Sequence, residues 1–229
     1  MVRVTLLSTS RRPHTLIRFR IMFEKTSTAE APARPGAVLQ RRGVERVQAI
    51  LNAAEELLAE QGYQAATLKA VGERAGIPTA SVYHYFADRH QVETKLMQRH
   101  LSALGERVDA AFDDPSLHTV RDGVDATIDP MLDYFREFPS CAELWFAGRH
   151  EELAELVQTF DRAKAERLWH LFIDRNLLAA DTPLRVLQLA FEAGSRLFDI
   201  AFQASPTGDE STMDEARRLV TAYLETYAP

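Results

Sequence analysis

Residues 67–89 read TLKAVGERAGIPTASVYHYFADR, and the punctuation of this stretch decides the fold. Thr67 stands as an N-cap before Leu68, Val71 and Ala75, whose spacing marks a helix, and Gly76 ends that helix after barely two turns. Ile77-Pro78-Thr79 then opens a further short helix that carries Val82, Tyr83 and Phe86 inward. Upstream, Val47, Ile50, Leu51, Ala54, Leu57 and Leu58 recur at spacings of three and four, with Gly62 as the stop. From Val44 this predicts an amphipathic helix of roughly four to five turns. Two short helices joined by a tight glycine-containing turn, behind a longer supporting helix, form a helix-turn-helix unit.

Downstream the chain reads as helix almost throughout. Residues 90–112 form one continuous pattern, with Val92, Leu96, Leu104, Val108 and Ala111 available for packing and Asp114-Pro115 as the break. Val120, Val124, Ile128, Leu132 and Phe135 mark the next stripe, bent at Pro130 and ended by Phe138-Pro139. A short helix over 142–149 and a long one over 151–178 follow. Asp181-Thr182-Pro183 caps and starts a helix with Leu187, Ala190, Phe191, Gly194, Leu197, Phe198 and Ala201 on one face. After a break at 205–208, Met213, Ala216, Val220, Tyr223, Leu224 and Tyr227 mark the last helix. No internal repeat, no period-two strand and no glycine-rich phosphate loop is present in the sequence, so the expected class is all-α with about nine helices.

Composition narrows the function classes. The chain has 229 residues, 46% hydrophobic and 26% charged, enough for a real core. Its longest stretch without Asp, Glu, Lys or Arg covers only residues 75–87, too short and too polar to span a bilayer. A single cysteine, Cys141, excludes an intrachain disulfide and a cysteine-based zinc site, and makes the cytoplasm the expected compartment. As a lone thiol, Cys141 is expected to be packed and inert. The net charge of -6 is uneven. Residues 1–42 sum to about +7, residues 43–99 to about -1 and residues 100–229 to about -12. Any contact with a polyanion therefore belongs in the first hundred residues and is made by placed side chains.

Residues 1–21 hold five arginines and no acid, but lack the apolar run of a secretory signal. An organellar transit peptide and translation starting at Met22 both fit. Residues 26–36 read as a flexible lead-in, and the basic extension 1–42 is expected to be disordered over residues 1–40 away from DNA.

The 67–89 segment resembles the helix-turn-helix of the TetR family of one-component transcriptional regulators, a likeness that extends at motif level over residues 44–96. It implies a DNA-binding domain over 43–89 and a helical ligand-binding and dimerization domain over 90–229. The implied DNA contacts are Arg41, Arg42, Thr67, Thr79, Ala80, Ser81, Tyr83, His84, Tyr85 and Arg89. The residue types fit that role. Thr79, Ala80 and Ser81 are small enough for close approach in a major groove, while Tyr83, His84 and Tyr85 pair a packing ring with a polar tip that reaches phosphate. Thr67 caps a helix whose positive end receives a phosphate. Arg89 stands where the family usually has lysine, and keeps a phosphate partner. Three positions depart from the family pattern: Pro78 replaces the usual serine cap, Ala80 stands where glycine is common, and His90 replaces the usual acid.

The acidic half is expected to pair two copies of the chain. The apolar stripes of the last two helices are too broad to be covered inside one subunit, which points to a four-helix interface through Phe191, Gly194, Phe198, Ala201, Phe202, Val220, Tyr223 and Tyr227. Trp145, Phe146, Arg149, Trp169, Phe172 and Phe191 are the candidate ligand residues. They combine aromatic walls with one permanent cation, a pattern suited to a largely apolar compound with one acidic group. His150-Glu151-Glu152 resembles a metal site only in composition, because consecutive helical residues face different ways. The expectation is a homodimeric repressor with no cofactor, no metal and no membrane partner, released from a double-stranded DNA operator by a small-molecule effector. Competing readings are an architectural or protein-regulated DNA-binding factor, and an enzyme using His150, Glu151 or Glu155.

Overall fold

The structure is a computed structural model that describes residues 35–147 and 150–229. The described residues form nine α-helices and no strand, as expected. They are α1 (Pro35–Gln61), α2 (Leu68–Ala75), α3 (Thr79–Tyr85), α4 (Arg89–Ala111), α5 (Val120–Glu137), α6 (Pro139–Ala147), α7 (Glu151–Asp174), α8 (Leu184–Ala204) and α9 (Glu210–Glu225), with a 3₁₀ turn at Tyr63–Ala65. Helix α1 begins at Pro35 rather than near Val44, so it runs through the expected boundary at 42/43 and takes in residues assigned to the disordered extension. Residues 1–34 lie outside the described residues.

Two cores share the chain. Ile50, Leu51, Leu58, Val71, Val82 and Leu96 close the first, which holds α1–α3 against the start of α4. Leu104, Phe135, Phe172, Leu187, Phe198 and Leu224 belong to the second, built from α4–α9. Helix α4 is buried in both, and Trp145 and Phe160 pack against both. The head and the helical bundle are therefore joined by a continuous rod rather than by a linker.

Local chemistry sets most helix ends. Thr67, Asp88, Thr119, His150 and Asp209 each accept an N-terminal backbone hydrogen bond, and Thr119 with Asp122 forms a reciprocal capping box. Pro183, not Asp181, is the cap of α8. Helix α6 starts at Pro139, earlier than the expected 142, and α7 ends at Asp174 rather than at 178. Tyr227 falls beyond α9, where its carbonyl accepts from the Ala179 amide at 2.8 Å.

Candidate nucleic-acid interface and effector cavity

The turn between α2 and α3 is closed by its own backbone. Gly76 adopts φ 64°, a left-handed conformation that suits glycine, while the Ile77 amide donates to the Gly72 carbonyl at 2.9 Å. Gly72 lets the two helices meet. A Cβ there would lie 2.9 Å from the Ile77 carbonyl oxygen and 3.2 Å from Val82 Cγ2. Sequence reasoning missed Gly72, although a glycine inside so short a helix was the available signal. Val82 and Phe86 are buried behind this crossing, as expected.

The opposite side of α3 faces outward. Ala80, Tyr83 and His84 are exposed and Thr79, Ser81 and Tyr85 are half-buried, with Tyr83 at 55%. Tyr83 thus points away from the core, against the expectation that it turns inward. Thr67 accepts from the Ala70 amide at 3.2 Å and remains exposed at the start of α2. Arg41 and Arg42 are exposed on α1, with Arg41 paired to Glu45 at 2.9 Å.

Arg89 behaves differently from the phosphate partner that the resemblance implied. Its guanidinium pairs with Glu93, donates to the Tyr63 carbonyl and lies 3.9 Å over the Tyr63 ring. The cause is Glu93, which is only 3% exposed and must be compensated. Tyr63 Oη adds a hydrogen bond to Glu93 at 3.2 Å, and His150 Nε2 stands 3.4 Å from the same carboxylate. His90, the residue in place of the usual acid, stacks on His150 at 4.4 Å between ring centres. His150, at the start of α7, therefore touches the head. So does Glu143 of α6, which accepts from the Tyr63 amide at 2.8 Å.

These internal pairs explain why the head looks nearly neutral. Arg74 is bound to Glu56 and Glu60 at 3.2 and 2.8 Å, and Arg99 to Glu55 at 2.7 Å, so with Arg89 three of the six cations of residues 43–99 are taken up by internal contacts. At the same junction His100 is buried, with Nδ1 2.9 Å from Tyr134 Oη. Burial, with help from Arg99, lowers its pKa to about 4. Cys141 is fully buried beside this group, and desolvation pushes its thiol pKa up, which leaves it protonated and inert.

Within the bundle a cavity of about 60 Å³ lies between α5, α7, α8 and α9. Of the six ligand candidates, Phe172 and Phe191 line it. Trp145 and Phe146 do not. They pack on Phe135, and Phe146 stacks on Phe202 at 5.6 Å. Trp169 instead donates its indole N–H to the Thr182 carbonyl at 2.8 Å, fixing the segment before α8. Arg149 lies outside the described residues. His150 caps α7, and among the described residues no group of three or more metal-ligating side chains is placed to hold a metal ion. No helix of the described residues is long and apolar enough to cross a membrane.

Four of the eight residues expected in the pairing surface are covered within the protomer. Phe198, Ala201, Phe202 and Val220 are buried inside the protomer, because α8 and α9 pack on each other and α9 also packs on α5. Phe191, Gly194, Tyr223 and Tyr227 are half-buried, and the first two border the cavity. The same two helices instead expose Leu189, Ile200 and Leu219, at 47%, 39% and 48%.

Comparison with known proteins settles what this arrangement belongs to. The profile described as "Bacterial regulatory proteins, tetR family" matches residues 50–92, and that of the "Tetracyclin repressor-like, C-terminal domain" matches residues 119–224. The chain belongs to the TetR family. A TetR-family transcriptional regulator from Streptomyces coelicolor has a similar solved structure, with 32% identity and a TM-score of 0.61. The match covers 80% of this chain and 99% of that one. The HTH-type transcriptional regulator BetI of Stenotrophomonas maltophilia is 26% identical over 200 residues, 82% of this chain and 96% of its own length. The HTH-type transcriptional repressor KstR2 of Mycobacterium tuberculosis is 31% identical over 96 residues, 42% of this chain and 40% of its own. As a TetR-family protein, the chain is a DNA-binding transcriptional regulator, and its relatives are regulators rather than enzymes.

Proposed function

We propose that this TetR-family regulator is a homodimeric repressor that acts in the cytoplasm, binds a palindromic operator through α3, and leaves it when a small molecule fills the bundle cavity. The observation that carries the reading is the outward face of α3. Thr79, Ala80, Tyr83 and His84 recur at i, i+1, i+4 and i+5 on a helix whose back is locked by Gly72 and Val82. Small and amphipathic groups on a rigid short helix suit base edges and flanking phosphates. Thr67, Ser81, Tyr85, Arg41 and Arg42 supply the surrounding backbone contacts. The exposed trio Leu189, Ile200 and Leu219 pairs two copies across a two-fold axis, which sets two α3 helices against successive major grooves. A ligand that favours one arrangement of the two heads then shifts the population away from the DNA-binding one by its differential affinity.

A footprint of the protein on the DNA upstream of its own gene tests the whole reading. The expected result is an inverted repeat, protected at half-sites about one helical turn apart or a multiple of it. Light scattering should show a dimer, and Leu219→Glu should give folded monomers that no longer hold the operator. A parent protein that is monomeric at micromolar concentration overturns the pairing.

A further inference from the structure

The bundle cavity carries a chemical preference for its ligand, a preference that rests on the cavity being the effector site. Its walls come from α5, α7, α8 and α9 and, among the described residues, include no charged side chain. Thr127 and Ser195 are its polar lining residues, and the Thr127 hydroxyl already gives its proton to the Gly123 carbonyl at 2.9 Å. The nearby cation on α9, Arg217, is held by Asp125 at 2.9 Å and by Asp129, both on α5, so it has no charge to spare for an anion. On the α7–α8 side Asp161 lies within electrostatic reach of Glu192 and Asp199, and the α8 cation Arg196 is itself paired with Asp199 at 3.8 Å.

We infer that the cavity takes an electrically neutral, largely hydrocarbon molecule with no more than one or two hydroxyl or carbonyl oxygens, and rejects the carboxylate and ammonium forms of the same skeleton. An ion moved into walls of this kind loses its hydration and finds no partner, whereas a single hydroxyl or carbonyl is served by Thr127 as acceptor and Ser195 as donor. This replaces the acidic ligand expected from Arg149.

Size adds a second condition. A cavity of 60 Å³ is smaller than the roughly 150 Å³ that admits benzene, so the walls must yield. Phe172 has no room to retreat toward α5, since its ring already lies so close to Gly123 that an added Cβ there would meet its Cζ at 2.7 Å. Met131 and Met213, unbranched and adaptable, are the lining residues that re-pack.

Two matched series test the inference on the full-length protein by thermal shift and tryptophan fluorescence at neutral pH. One is toluene, benzyl alcohol, benzoate and benzylamine; the other is 1-decanol, decanoate and decylamine. In at least one series a neutral member should raise the melting temperature saturably, with half-saturation at least tenfold below that of its ions. Ala216→Leu and Ala190→Leu, which fill the cavity without adding charge, should each weaken that response tenfold or more in proteins whose circular dichroism stays helical. Ions that match the neutral probes, no response to any neutral probe, or cavity-filled variants that respond like the parent would each overturn the assignment. Failure of the regulator reading looks different. It is a neutral probe that binds in the cavity and leaves operator affinity unchanged.

Discussion

The head and the bundle bury their helices with different materials. In the head, a compact aliphatic core is fastened from outside by ion pairs, Arg74 to Glu56 and Glu60, Arg99 to Glu55, and Arg89 to the buried Glu93. The bundle has inter-helix ion pairs too, Arg217 to Asp125 and Asp129 and Lys164 to Asp109, but its core is filled with rings. Phe135 meets Trp145, Phe198 and Phe202 at 5.4, 5.0 and 5.5 Å, and the packing leaves a cavity. Directional pairs tie α2 and α4 to α1, and the close crossing at Gly72 with buried Val82 holds α3 on α2, while stacked rings and methionines allow alternative packings at small cost. A rigid reader joined by α4 to an adaptable core suits the proposed control of DNA binding by a ligand.

The largest way to break this contrast is Arg89→Ala. It leaves the Glu93 carboxylate buried with only Tyr63 Oη and His150 nearby, a loss of about 3–5 kcal/mol of stability. Denaturant unfolding should show that loss, and Glu93→Gln in the same chain should recover much of it. If Arg89→Ala instead keeps its stability and lowers the salt slope of DNA binding by about one, the arginine is a phosphate contact and the head is less internally fastened than the geometry says.

Two buried titratable groups sharpen the comparison through pH. Asp161 in the bundle has a buried Oδ1 with no hydrogen-bond partner among the described residues, and burial, with repulsion from Glu192 and Asp199, raises its pKa to about 7. Between its ordinary value near 4 and 7 the folded chain holds the proton better than the unfolded chain, so this contribution to stability falls as pH rises through that window. His100 at the head junction runs the other way. Its pKa is lowered to about 4, so the unfolded chain binds the proton better between 6.5 and 4, and stability is lost on acidification. Asp161→Asn should therefore raise the melting temperature at pH 8, by roughly 1–3 kcal/mol of stability, with the gain vanishing toward pH 4. An equal gain at both pH values would remove Asp161 titration from the account.

Two glycines test the same contrast by packing. Gly72→Ala presses a methyl group on a backbone carbonyl, while Gly123→Ala presses it on the Phe172 and Leu177 side chains. Each overpacked site should lose about 1–3 kcal/mol. The head variant should lose operator affinity more than its melting temperature implies, and the bundle variant should mainly change the response to cavity ligands. The reverse assignment would contradict the division of labour.

The smallest expected effect lies on the reading face. Thr79→Ala or Ala80→Gly should change the preferred base pair by about 1–3 kcal/mol while leaving stability and non-specific affinity nearly unchanged. Selection from random DNA that returns the parental consensus for both variants would detach these residues from base recognition.

Nearest-neighbour chemistry settled α2 and α3 in advance. Thr67, Gly76, Pro78 and the 3.6-residue apolar spacing are local signals, and the helices they mark appear where the sequence puts them. The same locality let the helix order of the acidic half be read. Partner choice was not local. Apolar stripes on α8 and α9 announce that Phe198, Ala201, Phe202 and Val220 are covered, but not by whom. The packing of α9 on both α8 and α5 decided that they are covered within the protomer, leaving Leu189, Ile200 and Leu219 outside. Likewise, the aromatic cluster was visible, yet only the bundle geometry sent Trp145 and Phe146 to the Phe135 core and Phe172 and Phe191 to the cavity. Arg89 shows the reason most plainly. A cation near the start of a helix looks free in sequence, and it is the burial of Glu93 beside the Tyr63 turn, a contact across 26 to 30 residues, that turns it inward.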